Sequence, residues 1–162
     1  MKILIAVDFS PVGREVAHHG YRIALNSGKD AMFFHSVPQT ARLLAGYDMN
    51  MILTEAEKRN RQEIKTAATS KLDKVVEDVL AESGKKDSTK IDEYVASGEA
   101  AEEIIKYVKA HDDIDLIIVG YKSYSAIEEI LVGSTAAKVA RYAPCSVLIY
   151  RPDKEEKDAL KF

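Results

Sequence analysis

Gly133-Ser134-Thr135 stands at the head of an apolar-periodic segment that is typical of a helix. Upstream of it, the apolar run over residues 116–119 stops at Gly120 and is followed by a polar loop. A helix start exposes N–H groups that have no acceptor within the helix, and these groups bind anions. A residue without a Cβ and two hydroxyl side chains at that place therefore form a natural cradle for an anion, and phosphate is the anion that we expect.

A phosphate cradle of this kind needs a frame that brings a strand end and a helix start together. Short apolar runs bounded by turn residues are typical of strands buried on both faces, as in parallel sheets covered by helices. We predict strands over residues 3–7, 31–37, 90–95, 115–119 and 146–150, with helices between them. This alternation predicts an α/β fold: a doubly wound five-stranded parallel sheet with helices on both faces. Ligands bind such sheets outside the carboxyl ends of the strands, where the strand order reverses.

Capping residues predict where the helices begin and end. Ser10-Pro11 indicates an N-cap and a first helical residue, Thr54-x-x-Glu57 is a capping box, and Ser97-Gly98 is predicted to cap the third helix. Gly28 and Gly84 are the predicted stops of the first and second helices. The second helix has apolar residues at helical spacing, which predicts a buried stripe of Ile64, Ala68, Leu72, Val75, Val76, Val79 and Leu80.

Composition excludes several classes of function. The chain has 162 residues and a net charge of -3 from scattered acidic and basic side chains, so no basic face favours nucleic acid or an anionic membrane. Cys145 is the only cysteine, which excludes an internal disulfide and makes a reducing cytoplasm the expected setting. The N-terminal apolar run is too short for a membrane span or a signal-peptide core. We expect one domain over residues 1–152 and a frayed, charged tail over 153–162.

In four segments the chain resembles the universal stress proteins of the single-domain type. These segments are residues 3–10, residues 34–37, residues 115–120 with Gly133-Ser134, and residues 143–150, and the resemblance spans nearly all of residues 2–151. It implies an adenine nucleotide alpha hydrolase-like sheet with strand order 3-2-1-4-5. It also implies a cytoplasmic regulator that binds ATP or AMP, alone or with Mg²⁺, in the crevice between strands one and four.

The resemblance also implies a homodimer, because family members commonly pair their last strands. Residues 146–150 would otherwise leave an apolar edge strand uncovered, which is an aggregation liability. No nucleic acid and no membrane are expected as partners.

From the resemblance we expect nine residues to form the nucleotide site: Ala6, Val7, Asp8, Ser36, Gly120, Ser123, Gly133, Ser134 and Thr135. Asp8, at the end of strand one, is expected near the ribose or the adenine, and the two residues before it are expected to line the base pocket. Ser36 stands where the family contacts adenine through its backbone. Gly120 is expected under the sugar and phosphates, and the three residues from Gly133 onward are expected to hold the phosphate chain.

The loop before the last helix departs from the family pattern at one position. In the nucleotide-binding branch it reads Gly-x-x-Gly, nine residues, then Gly-Ser or Gly-Thr, and Ser123 replaces the second glycine with the spacing intact. A Cβ there disfavours positive φ and adds bulk, whereas the hydroxyl can donate to a phosphate oxygen. The sequence therefore leaves two hypotheses about function: a nucleotide-binding regulator and a nucleotide-free dimeric interaction module.

A weak ATP hydrolase is a third, less favoured function. The chain lacks the P-loop pattern, and Asp8 is the only acidic residue at a predicted strand end that could serve such a reaction. Asp8 has a structural alternative, since it could accept hydrogen bonds from backbone N–H groups in the turn leading to Ser10. His35, on a central strand, is expected to be a hydrogen-bonded core histidine and not a base. We assign no catalytic and no metal-ligating residue.

Overall fold

The computed structural model describes residues 1–38, 55–83, 89–121 and 132–152. In these ranges strands and helices alternate in the order β1 (Lys2–Ala6), α1 (Pro11–Ser27), β2 (Asp30–Val37), α2 (Glu55–Ser83), β3 (Ile91–Ser97), α3 (Ala100–Lys109), β4 (Ile114–Gly120), α4 (Ser134–Tyr142) and β5 (Ser146–Tyr150). The start of α4 at Ser134 and the bounds of β5 agree with the prediction, and the other strand bounds differ from it by one or two residues. No described helix has both the length and the apolar character needed to cross a membrane.

The five strands form one parallel sheet in the order β3-β2-β1-β4-β5. In this sheet Ile5 of β1 lies between Phe33 of β2 and Ile118 of β4. The chain leaves β1 towards one edge and returns beside it as β4, so the strand order reverses between these two strands. The predicted α/β fold and its strand order are confirmed.

The central strand is buried on both faces because alternate side chains point to opposite sides of a sheet. Ile3 and Ile5 pack with residues of α1 and α2, whereas Leu4 packs with residues of α3 and α4. Burying one such aliphatic side chain completely stabilises the fold by about 1.5–3 kcal/mol. The apolar run of β1 therefore connects the two layers of helices and holds its carboxyl end in a fixed place.

The cap prediction for α1 is confirmed and the one for α3 is wrong. Ser10 is the N-cap of α1, its hydroxyl accepts from Gly13 N at 3.0 Å, and Gly28 ends the helix with φ 63°. At α3 the cap is Glu99, whose carboxylate accepts from the backbone N–H of Glu102 at 3.0 Å. Ser97 cannot take this role because it is still paired with β2 as the last residue of β3.

The buried stripe of α2 begins one turn later than predicted. Ala68, Leu72, Val75, Val76 and Val79 are buried and Leu80 is half-buried, but Ile64 is 39% exposed. The helix turns before Ala68 are mostly exposed, so apolar spacing alone did not show where contact with the sheet begins. The predicted cap at Thr54, the stop at Gly84 and the tail over 153–162 lie outside the described residues, and the domain boundary at residue 152 stays a prediction.

Candidate functional site

A cavity of about 310 Å³ opens at the carboxyl ends of β1 and β4, where the strand order reverses. This volume is at the lower end of the range of about 300–1,000 Å³ that is usual for ligand pockets. Eight of the nine predicted site residues line it, namely Ala6, Val7, Asp8, Ser36, Gly120, Gly133, Ser134 and Thr135. Ser123 lies outside the described residues. The structure thus brings together residues that are up to 129 positions apart, from Ala6 to Thr135.

Apolar side chains from helices and strands complete the walls of the cavity. The lining residues that sequence reasoning missed are Val12, Gly13, Phe34, His35, Ala100, Ile104, Val119 and Ala136. Ala100 and Ile104 were missed because sequence spacing does not show that the first turns of α3 face the site. The walls offer a surface suited to the flat apolar faces of a heterocycle.

The start of α4 presents backbone N–H groups to the cavity. Gly133 is the N-cap and makes no side-chain cap hydrogen bond, and the first bond within the helix runs from Ala137 N to Gly133 O at 2.9 Å. The N–H groups of Ser134, Thr135 and Ala136 therefore have no acceptor inside the helix. They lie at the positive end of the helix dipole, where an anion is stabilised.

Gly133 differs from the three residues after it because its own amide is not available to a ligand. Its N–H donates to Tyr121 O at 2.8 Å, so this amide is already occupied. Its backbone has φ -55° and ψ 150°, a conformation open to any residue. Lack of a Cβ beside the cavity is therefore the property of Gly133 that distinguishes it from other residues at this position.

Asp8 lines the cavity and also stabilises the turn into α1. Its Oδ1 accepts from Ser10 N at 3.0 Å and from Ser10 Oγ at 2.5 Å. The structural alternative considered for Asp8 is therefore real, and it does not exclude contact with a ligand, since a carboxylate has two oxygens. Among the described residues that line the cavity, Asp8 is the only carboxylate, and none is a lysine or arginine.

His35 is held by the backbone of the strand next to it. Its Nδ1 lies 2.7 Å from Val7 O, and because a carbonyl only accepts, Nδ1 carries the proton. Burial lowers the pKa of His35, against the opposing effect of this hydrogen bond. The Phe9 ring contacts the imidazole with centroids 4.0 Å apart. These contacts confirm the predicted hydrogen bonding of His35, but the residue is half-buried and lines the cavity and does not lie in the core.

Ser36 uses its hydroxyl to fix the neighbouring loop, since Ser36 Oγ donates to Gly98 O at 2.9 Å. The described residues contain no group of three or more side chains suited to hold a metal ion. The groups among the described lining residues that could donate to an anion are the amides and hydroxyls at the start of α4, since none of these residues is a lysine or an arginine.

The parallel sheet and the cavity at the reversal of strand order, lined by the first turn of α4, define a doubly wound α/β protein with a cleft at the carboxyl ends of its strands. The sequence profile of the universal stress protein family matches residues 1–151, and the chain belongs to this family. Among its relatives, universal stress protein MJ0531 of Methanocaldococcus jannaschii is 32% identical over 157 residues, which cover 96% of this chain and 84% of that protein.

Solved structures with the same fold include proteins bound to nucleotides. Protein MJ0577 superposes with a TM-score of 0.72 at 21% identity, covering 94% of this chain and 96% of that one. A universal stress protein in complex with cAMP has a TM-score of 0.57 at 18% identity and covers 94% of this chain and 98% of its own. The protein from Archaeoglobus fulgidus in complex with dAMP has a TM-score of 0.56 at 19% identity, with 93% and 98% covered.

Proposed function

We propose that this universal stress protein is a cytoplasmic regulator that binds an adenine nucleotide, ATP or AMP, in the cavity between β1 and β4. The observation that carries the proposal is that eight predicted residues line one cavity together with the first-turn amides of α4, which have no acceptor inside the helix. The relatives in complex with cAMP and dAMP support adenine as the base. The cysteine content, a single residue, supports the cytoplasm as the setting.

The cavity suits the three parts of a nucleotide. The phosphate would accept from the amides and hydroxyls of Ser134 and Thr135, and the base would lie against apolar wall residues such as Ala6 and Val119. Asp8, which carries a negative charge, would face the sugar or base end because it repels phosphate. Mg²⁺ would enter with a triphosphate, since this ion keeps most of its waters and needs only one or two carboxylates beside phosphate oxygens.

Isothermal titration calorimetry with ATP and Mg²⁺, and with AMP, tests the proposal. We expect Gly133→Asp to weaken binding at least about ten-fold, because it places a carboxylate where the phosphate would lie. Ala140→Asp is the matched control, since it adds the same charge to an exposed position later in α4. Wild-type protein that gives no heat with either nucleotide contradicts the proposal.

A nucleotide-free dimeric interaction module remains the second candidate, and Ser123→Gly separates it from the first. A variant that binds ATP when wild type does not would assign the chain to the nucleotide-free class. Asp8 is the one candidate residue for a weak hydrolysis of ATP. If Asp8→Ala releases phosphate from ATP at the wild-type rate, Asp8 has no catalytic role.

A further inference from the structure

Gly13, in the first turn of α1, lines the cavity beside Asp8. A Cβ built on Gly13 would overlap Asp8 Oδ1, and it would lie 3.0 Å from Asp8 N and 3.3 Å from Asp8 Cγ. Two of these atoms belong to the carboxylate and one to the backbone. The Asp8 carboxylate therefore occupies the space that any side chain at position 13 would need.

A short series of hydrogen bonds holds the carboxylate in this space. Gly13 N donates to Ser10 Oγ at 3.0 Å, and Ser10 Oγ in turn donates to Asp8 Oδ1 at 2.5 Å. Ser10 N donates to the same oxygen at 3.0 Å. Both donors thus use Oδ1, and no described residue donates to Oδ2 in the hydrogen bonds of the structure. Asp8 is exposed and lines the cavity, so Oδ2 is the oxygen of its carboxylate that has no donor among the described residues.

We infer that Gly13 is a positioning residue for ligand recognition: its missing Cβ lets the Asp8 carboxylate dock on α1 and offer Oδ2 to a hydrogen-bond donor of the ligand. The inference rests on the proposed function and states which part of the nucleotide forms a hydrogen bond with Asp8. A carboxylate only accepts hydrogen bonds, so its partner is a ribose hydroxyl or the exocyclic amine of adenine, and not a phosphate oxygen. Hydrogen bonds to charged groups are the stronger ones, so Asp8 discriminates nucleotides by these donors.

The test compares the affinities of AMP and of analogues that each lack one donor: 2′-deoxy-AMP, 3′-deoxy-AMP and purine riboside monophosphate. In the wild type we expect one analogue to bind about ten-fold or more weakly than AMP, and that analogue identifies the donor. The ratio between the affinity for AMP and the affinity for that analogue is expected to fall to near one in Gly13→Ala, because the added Cβ displaces the carboxylate.

Gly20→Ala is the matched control, as the same substitution in the same helix. Its Cβ would meet Ile5 side-chain atoms at 2.9 Å, away from the cavity lining, so it is expected to change stability and leave the ratio intact. Ser10→Ala is a second variant that removes the bridging hydroxyl without adding an atom, and it too is expected to reduce the ratio. It remains informative if Gly13→Ala does not fold.

A measurement without ligand separates this inference from the proposed function. Side-chain scalar couplings in NMR spectra report the χ1 rotamer of Asp8, which we expect to change in Gly13→Ala and to stay unchanged in Gly20→Ala. An unchanged rotamer in Gly13→Ala overturns the positioning role, whether or not nucleotide binds. A changed rotamer with the wild-type ratio overturns the role in discrimination. Wild-type protein that binds no nucleotide overturns the proposed function and the ligand part of this inference, while the rotamer still decides the positioning role.

Discussion

Phe9, directly after the cavity-lining residue Asp8, has a left-handed backbone conformation. Its φ is 61°, and among the described residues it is the only non-glycine with positive φ. Such a conformation costs of order 1–3 kcal/mol and persists only where the surroundings impose it. Here the Phe9 ring contacts His35, and Asp8 and Ser10 on either side are joined by two hydrogen bonds. The strain at Phe9 therefore accompanies the turn that brings Asp8 to the cavity.

His35 makes stability depend on pH. Burial lowers the pKa of His35 below its ordinary value of 6.5, so the unfolded chain takes up the proton more readily than the folded one. Its contribution to stability is therefore present above pH 6.5 and is lost as pH falls below it. We expect His35→Asn, which keeps a donor for Val7 O but does not titrate, to lose this dependence in urea unfolding between about pH 5 and pH 8. A variant with the wild-type dependence would contradict this assignment.

Glu93 on β3 produces the opposite dependence. Burial, together with Asp73 and Glu77 of α2, raises the pKa of Glu93 from 4.5 to about 7. The folded state then holds the proton more tightly than the unfolded chain, so this contribution is present below pH 4.5 and is lost as pH rises through about 7. Burial of the carboxyl is only partial and the residue as a whole is exposed, so solvent screening reduces the size of this contribution.

We expect Glu93→Gln to unfold at higher urea concentration than the wild type at about pH 8, and to show little difference at about pH 4. The reason is that the neutral amide does not repel the carboxylates of α2. Glu63→Gln, at an exposed position of α2, is the control for the lost charge. Equal gains at both pH values would show that repulsion is not the cause.

At the scale of elements, sequence periodicity predicted the strands and helices well. Each strand lies within the sheet and each helix packs against it, so one kind of contact determines the pattern of apolar residues. The α4 bounds follow from Ser134 at its start, and the β5 bounds from its short apolar run. The errors arise where two interactions compete. Ser97 is a good capping residue, but its pairing with Val37 prevails and Glu99 caps α3 instead. Ile64 has the right spacing, but its side chain is exposed.

The end of α1 depends on glycine. Gly28 has φ 63°, and a Cβ built there would meet no atom within 4 Å, so only backbone strain opposes a side chain. We expect Gly28→Ala to lower the free energy of unfolding by about 1–2 kcal/mol, measured in urea. Gly28→Asn is the control, because asparagine tolerates this conformation and should cost less. Equal losses in both variants would contradict the role of backbone strain.

At the scale of the whole molecule, the site could be predicted because a resemblance supplied residues that only the fold brings together. Asp8 and Gly133 are 125 residues apart, and no periodicity joins them. Gly13 was missed for the same reason: its importance lies in the space next to Asp8, which a sequence does not display. Periodicity predicts contacts within an element, whereas the lining of a cavity depends on how elements approach one another.

The position of β5 as an edge strand among the described strands supports the homodimer expected from the sequence. Among the described strands β5 pairs only with β4, and its residues are exposed or half-buried. We expect a dimer at micromolar concentration in sedimentation experiments, and a monomer for Val147→Lys, because an inserted charge blocks edge pairing. Tyr94→Lys, on the opposite edge strand β3, is the control and is expected to remain dimeric. A monomeric wild type would contradict this interface.

The cavity is lined by residues from both halves of the sheet, from Ala6 near the start of the chain to Ala136 in α4. A molecule that fills it contacts segments that would separate on unfolding, so it links them without a covalent bond. Binding only to the folded chain adds about 2.7 kcal/mol of stability when free ligand exceeds its Kd a hundred-fold. Occupied protein should therefore resist proteolysis longer than empty protein, so that the lifetime of this protein in a cell would follow the concentration of its ligand.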